Sequence, residues 1–217
     1  MADLTIYVGN KNYSSWSLRG WLIAKASGIE FDEVVIPLDQ PTTRETVRRH
    51  SPSGRVPAIR HGDRVVWDSL AIGEYLAELA PQAELWPTDQ AARAVARAVS
   101  AEMHSGFDAL RSHFPMNMRS SFPDRAPTAA AQADINRISA IWLDCRRRFG
   151  GAGQFLFGRF TIADAMFAPV VSRFRTYKIG LDEVGQAYSD AVWALPAMQE
   201  WLQAARKEPM VIPAAEF

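Results

Sequence analysis

Arg55-Val56-Pro57-Ala58-Ile59-Arg60-His61-Gly62-Asp63-Arg64-Val65-Val66-Trp67-Asp68-Ser69-Leu70 decides the fold class, because it contains two short strands, the turn between them and the start of a helix. Val56 to Arg60 and Arg64 to Trp67 carry the β-branched and aromatic residues that suit strands, and His61-Gly62-Asp63 supplies a glycine-containing turn. Pro57 cannot donate to a ladder, so it marks an edge or a bend at the strand opening. From Ser69 to Leu79 the apolar spacing changes to that of a helix, with Leu70, Tyr75, Leu76 and Leu79 on one side.

Reading back towards the start, Leu4 to Val8 is a strand and Ser15 to Ser27 is a helix with Leu18, Leu22 and Ala26 at spacings of four, stopped by Gly28. Phe31 to Ile36 is a strand broken by Pro37, and the polar stretch from Thr42 to His50 suits a short surface helix. The order β-α-β-α-β-β-α indicates an α/β layer fold. Prolines at 81 and 87 then bracket a linker, after which only helices are expected: Asp89 to Ser112, Thr128 to Phe149, Thr161 to Arg175 and Pro196 to Arg206. The third is apolar nearly all round and therefore buried. The expected organisation is an α/β unit over 1–80, a linker over 81–88 and an all-α unit over 89–217.

The bulk composition narrows the function classes. With 48% hydrophobic and 22% charged residues the chain can bury a real core, and a formal net charge of zero provides no long-range field for nucleic acid or an anionic membrane. Arg48-Arg49 and Arg146-Arg147-Arg148 fall at helix C-termini, where cations offset the macrodipole. The single cysteine, Cys145, excludes an internal disulfide, and no zinc-ligand spacing appears. The first residues lack a signal core and no apolar run is long enough to span a bilayer, so a cytoplasmic setting without metal is expected.

Three junctions could carry chemistry. Asn12-Tyr13-Ser14-Ser15-Trp16-Ser17-Leu18-Arg19 joins the first strand to the first helix. Ser14 or Ser15 there is either a simple N-cap or a hydroxyl beside a helix N-terminus that can stabilise a thiolate. Were the Val56–Pro57 bond cis, the N–H and C=O of Val56 would be free for a peptide-like ligand. Asp68-Ser69 either caps the next helix or holds the two ends of an α-amino acid group, the carboxylate on Ser69 and the ammonium on Asp68. In the helical half, His104 and Arg111 are seven residues apart and so would share one helix face beside Met103, Phe107, Met116, Asn117 and Met118.

Together these motifs resemble the glutathione transferases over nearly the whole chain, and the Ser14-Ser15-x-Ser17-x-Arg19 string most resembles their serine-type, zeta-like branch. The resemblance implies a thioredoxin-like first domain followed by an all-helical domain. It implies glutathione as co-substrate, with Ser14 (or Ser15) activating the sulfur and Val56-Pro57 bonding the cysteinyl backbone. Asp68-Ser69 would hold the γ-glutamyl end, with Arg55 near the cysteinyl-glycine end. Trp16, His104 and Arg111 would border the pocket for a small electrophile. Leu156 to Asp164 resembles the family's N-capping box, in which Thr161 and Asp164 have a structural role. Trp16 replaces the cysteine usual in the zeta class, and Arg55 and Asp68 stand where glutamines are usual. A homodimer is also implied. The functions in view are transfer to glutathione, glutathione-dependent isomerisation or dehalogenation, and glutathione binding without turnover. With no cysteine in the first domain, dithiol chemistry is disfavoured.

Overall fold

A computed structural model describes residues 3–217. The first part runs β1 (Leu4–Val8), α1 (Ser15–Ser27), β2 (Phe31–Val35), α2 (Thr43–Arg48), β3 (Ala58–His61), β4 (Arg64–Val66) and α3 (Ser69–Leu79). The strands form one sheet in the order β2-β1-β3-β4, with β1 parallel to β2 and the other two pairs antiparallel. This is the thioredoxin-like arrangement. Alternation on the central strand places Leu4, Ile6 and Val8 in the main core and Tyr7 on the opposite face, with Ile36 and Val47.

Helix α1 lies against α3 and α7, so its polar start is set on an almost wholly buried body. Gly28, in the left-handed region at φ 72°, ends the helix, its N–H donating to Lys25 O. Gly20 permits its close approach to the β3 junction, because a Cβ there would stand 2.9 Å from Pro57 Cγ.

The second part contains α4 (Gln90–Ser105), α5 (Asp108–His113), α6 (Ala129–Phe149), α7 (Ile162–Thr176), α8 (Glu183–Ala194) and α9 (Pro196–Lys207). Helix α7 is the buried one, and the Asp164 carboxylate anchors its start. That carboxylate accepts the Leu156 N–H at 3.1 Å, the Thr161 N–H at 2.8 Å and the Thr161 hydroxyl at 3.0 Å. Trp142 packs edge-on to Tyr188 and tilted to Phe174 in the same core.

Two expectations need correction. The single helix expected from Asp89 to Ser112 is broken at Gly106-Phe107, where Phe107 adopts φ 63°. The break is stabilised from a distance: the Leu110 N–H at the start of α5 donates to Asp134 Oδ2 of α6 at 2.9 Å. Helix α8 was not expected at all. Its signals were present, in the Asp182 cap that takes the Gly185 N–H at 2.7 Å and in buried Tyr188 and Val192, but Gly185 dilutes the pattern. No helix among the described residues is long and apolar enough to cross a membrane.

Candidate functional site

The three junctions meet in one cleft of about 740 Å³. Ser14 and Trp16 enter it from the start of α1, Arg55, Val56 and Pro57 from the approach to β3, and Asp68 and Ser69 from the start of α3. His104, near the end of α4, closes the fourth side. Ser15 and Arg111 are not among the lining residues.

Ser14 caps α1 and is buried. Its Oγ accepts the Ser17 N–H at 3.3 Å, and its hydroxyl donates to Ser17 Oγ at 2.7 Å, which also accepts the Gly9 N–H at 2.9 Å. The Ser14 hydroxyl is therefore oriented by a second serine and can exchange that partner for a ligand atom.

The Val56–Pro57 bond is cis, as is Trp67–Asp68. Among the described residues, neither the N–H nor the C=O of Val56 has a hydrogen-bond partner. Asp68 Oδ1 caps α3 through the Leu70 N–H at 2.9 Å and the Ala71 N–H at 3.3 Å, while Oδ2 lies 3.0 Å from His104 Nε2. Ser69 is fully buried, and its hydroxyl has no partner among the described residues. An unsatisfied buried hydroxyl costs stability, so one on a cleft wall marks where a ligand acceptor fits.

Arg111 departs from its expected place because the helix break puts it on α5. From there its guanidinium turns back to donate to the Met103 and His104 carbonyls and so caps the end of α4. It also stands behind Trp16, its guanidinium carbon 4.6 Å from the ring centre, with that of Arg19 at 4.5 Å. Arg19 is fully buried and donates from Nε to Met166 O at 3.1 Å. No carboxylate among the described residues is bonded to it. Burial, followed by the neighbouring Arg111 and Arg173 charges, holds its pKa well below the ordinary arginine value. Burial likewise brings Arg173 down to about 10. Arg19, Arg111 and Arg173 thus form a group of neighbouring cations.

Residues 13–79 match the family model described as glutathione S-transferase, N-terminal domain, and residues 90–204 match glutathione S-transferase, C-terminal domain. The chain belongs to the glutathione S-transferase family. The chain is 28% identical over 182 residues to maleylacetoacetate isomerase from Rattus norvegicus, covering 81% of this chain and 80% of that protein. It is 32% identical over 90 residues to a probable glutathione transferase omega-2 from Caenorhabditis elegans, covering 41% of this chain but only 35% of that protein. Among solved structures, a glutathione transferase homologue from Burkholderia GL BGR1 with bound glutathione superposes with a TM-score of 0.71 at 25% identity, covering 94% of this chain and 99% of that one.

Ser17, Leu38, Thr43, Val47, Ser53, Gly54 and Trp67, which border the cleft or hold Ser14, are not among the candidate residues the sequence motifs indicate. Ser17 could have been found, since it sits three residues after the cap, where a side chain can reach back to it. Leu38 and Val47 have no local signal, because α2 and the segment before it enter the cleft wall only through tertiary packing.

Proposed function

We propose that the chain binds glutathione across this cleft and transfers alkyl or aryl groups to its sulfur. The γ-glutamyl carboxylate sits on the Ser69 hydroxyl and the start of α3, and the ammonium sits on Asp68. The cysteinyl backbone pairs with the N–H and C=O of Val56, and Arg55 faces the glycyl end. The sulfur then meets Ser14 at the start of α1. The partnerless Ser69 hydroxyl carries this reading. It is buried and lies on a cleft wall beside a backbone segment whose own polar groups are also unpaired.

At the sulfur, the Ser14 hydroxyl turns from Ser17 to donate to the thiolate, and the α1 N-terminus adds its partial positive charge. A free thiol has a pKa of about 8.5, and lowering it by two units takes roughly 2.7 kcal/mol of preferential thiolate stabilisation. One charge-assisted hydrogen bond and a helix terminus are of that order. The buried Arg19, Arg111 and Arg173 charges act in the same direction. The thiol proton leaves to solvent and the thiolate attacks the electrophilic carbon. The C–S bond forms as the bond to the leaving group breaks, and that group departs with the electron pair.

Isomerisation is a second reading, favoured by the rat maleylacetoacetate isomerase relative. There the thiolate adds and is later expelled, so glutathione is regenerated. The division at 1–80, 81–88 and 89–217, a cytoplasmic setting and a homodimer pairing the α/β unit of one copy with the helices of the other belong to the same proposal.

Retention on immobilised glutathione, together with glutathione consumption across a panel of electrophiles and a Ser14→Ala control, tests the assignment. Retention with no turnover of any electrophile would leave a binding module rather than an enzyme.

A further inference from the structure

We infer that Glu208, just beyond α9, is a positioning residue for Ser14: its carboxylate holds the β1–α1 loop in the shape that presents the serine hydroxyl to the cleft. This rests on the proposal that Ser14 meets the glutathione sulfur.

Residues 11 to 13, immediately ahead of Ser14, form no secondary-structure ladder, so their polar groups must be held by other means. Glu208 takes two successive amides of this loop. Oε1 accepts the Lys11 N–H at 2.6 Å, and Oε2 accepts the Asn12 N–H at 2.9 Å. Successive backbone N–H groups converging on one anion form a nest, and charge-assisted bonds of this kind are stronger than neutral ones. The opposite side of the Lys11 peptide is held too, its C=O accepting from Trp201 Nε1 at 2.8 Å.

The carboxylate is not there as an ion-pair partner for the Lys11 side chain. That ammonium lies 2.6 Å from Glu33 instead, which leaves Glu208 to the backbone.

From the nest, the geometry passes directly to the serine. Asn10 C=O accepts the N–H of Ser14 at 2.8 Å and that of Tyr13 at 3.2 Å, so the loop closes on itself at Ser14. The rest of the loop is tied to the same C-terminal segment and to the stretch after α5. The Tyr13 phenol donates to Glu216 and accepts from Arg119 Nη2 at 2.7 Å. Buried Asn12 donates from Nδ2 to Asn117 Oδ1 at 2.9 Å, while its Oδ1 accepts the Arg119 N–H at 3.0 Å. Burial pushes the Glu216 pKa up, but the hydrogen bonds from Tyr13, Arg119 and Asn117 together hold it below the ordinary glutamate value, so this carboxylate meets Tyr13 as an anion at neutral pH.

Helix α1 itself does not need Glu208. The helix is capped by Ser14 and buried through α3 and α7. Removing the carboxylate leaves that body intact and frees two amides in the loop, which changes where the Ser14 hydroxyl points. Thiolate stabilisation depends on hydrogen-bond angle and distance, so the effect appears at the sulfur.

The test uses the full chain carrying Glu208→Ala. The thiolate of bound glutathione is titrated by its ultraviolet absorbance, and kcat and KM are measured with an aryl halide across pH. The thiol pKa should rise by about one unit and kcat at neutral pH should fall about tenfold, the loss of roughly one charged hydrogen bond's worth of alignment. KM for glutathione should move by less than about threefold, because the Val56 and Ser69 contacts remain. Acetate, which matches the CH2–COO− fragment removed, should partly restore kcat in the variant and leave the wild type unchanged. A variant with wild-type thiol pKa and kcat but a lower melting temperature would make Glu208 merely structural and overturn the inference. Where Glu208→Ala does not fold, Glu208→Gln retains one acceptor and should show the same pKa rise in smaller measure; an unchanged pKa there overturns it equally. If Ser14→Ala leaves the thiol pKa unchanged, the serine assignment itself falls, and with it this inference. If Ser14→Ala raises the pKa while Glu208→Ala does not, only the positioning role fails.

Discussion

Replacing Ser69 by alanine should weaken glutathione binding without weakening the free protein, two consequences of one hydroxyl that differ in sign. In the free chain the hydroxyl is fully buried with no partner, and an unsatisfied group of this kind costs about 1–3 kcal/mol. Alanine removes that cost while keeping the Cβ and the helix start, whose cap is Asp68 rather than Ser69. For a chain of this size each kcal/mol moves the melting temperature by about 2–4 °C, so the variant should melt at the wild-type temperature or a few degrees above it. In the proposed complex with glutathione the same hydroxyl donates to a carboxylate, a bond worth about 1.5–3 kcal/mol. Its loss raises Kd about 10- to 150-fold. Binding should not vanish, since the helix N–H groups still face the carboxylate. Circular dichroism melting without ligand and titration calorimetry with glutathione measure the two effects separately. A Ser69→Ala protein that melts earlier and binds glutathione as tightly as wild type would refute the reasoning, because the hydroxyl would then be satisfied within the fold and unused by the ligand.

Further outcomes follow from other parts of the structure. Ser14→Ala should raise the bound thiol pKa by one to two units, about 1.4–2.7 kcal/mol, whereas Ser15→Ala should leave it nearly unchanged; the reverse pattern in a pH titration would transfer the role to Ser15. Burial pushes the Asp164 carboxyl up to about 6, against the pull of its hydrogen bonds from Leu156 and Thr161. Because the folded pKa lies above the ordinary value, the stabilising contribution is complete below about pH 4 and is lost as pH rises through about 6, roughly 3 kcal/mol in all. The stability of wild type relative to Asp164→Asn should therefore decline from pH 4 to 7 in denaturant titrations, and a flat or widening gap would contradict this. Burial drives the Cys145 thiol up to about 12, so a disulfide reagent should label it only on unfolding; rapid labelling of the native protein would show the site to be open.

The periodic elements were legible because their signals are local. Ser69–Leu79 was read with the observed bounds because the cap, the helical spacing and the change from strand period fall within twelve residues. The cleft was legible at its three junctions for a similar reason: each is a strand-to-helix or loop-to-strand turn where backbone groups are left over. What the sequence did not reveal depends on partners far along the chain. The break between α4 and α5 needs Asp134, 24 residues beyond Leu110, to cap α5. Arg111 was expected beside His104 on one helix face, and that face does not exist once the break is made. Glu208 reaches the loop across nearly two hundred residues, and no pattern in its own neighbourhood points there.

Asp68 shows why the site cannot be apportioned to the first part of the chain alone. One of its oxygens caps α3 and the other lies 3.0 Å from His104 Nε2 of α4, so in the proposed binding mode an incoming ammonium would share a carboxylate that stands between both parts. His104 is held in turn, its ring edge-on to Trp16 with ring centres 5.1 Å apart and its carbonyl taken by Arg111. Trp16 rests against Arg19 and Arg111. In the proposed binding mode the γ-glutamyl end and the electrophile wall are joined through His104 and Trp16, two adjoining side chains from opposite parts of the molecule. Substituting either should then alter glutathione affinity and electrophile preference together, whereas substitutions at Val56 and Ser69, which stand outside this pair, should affect glutathione alone.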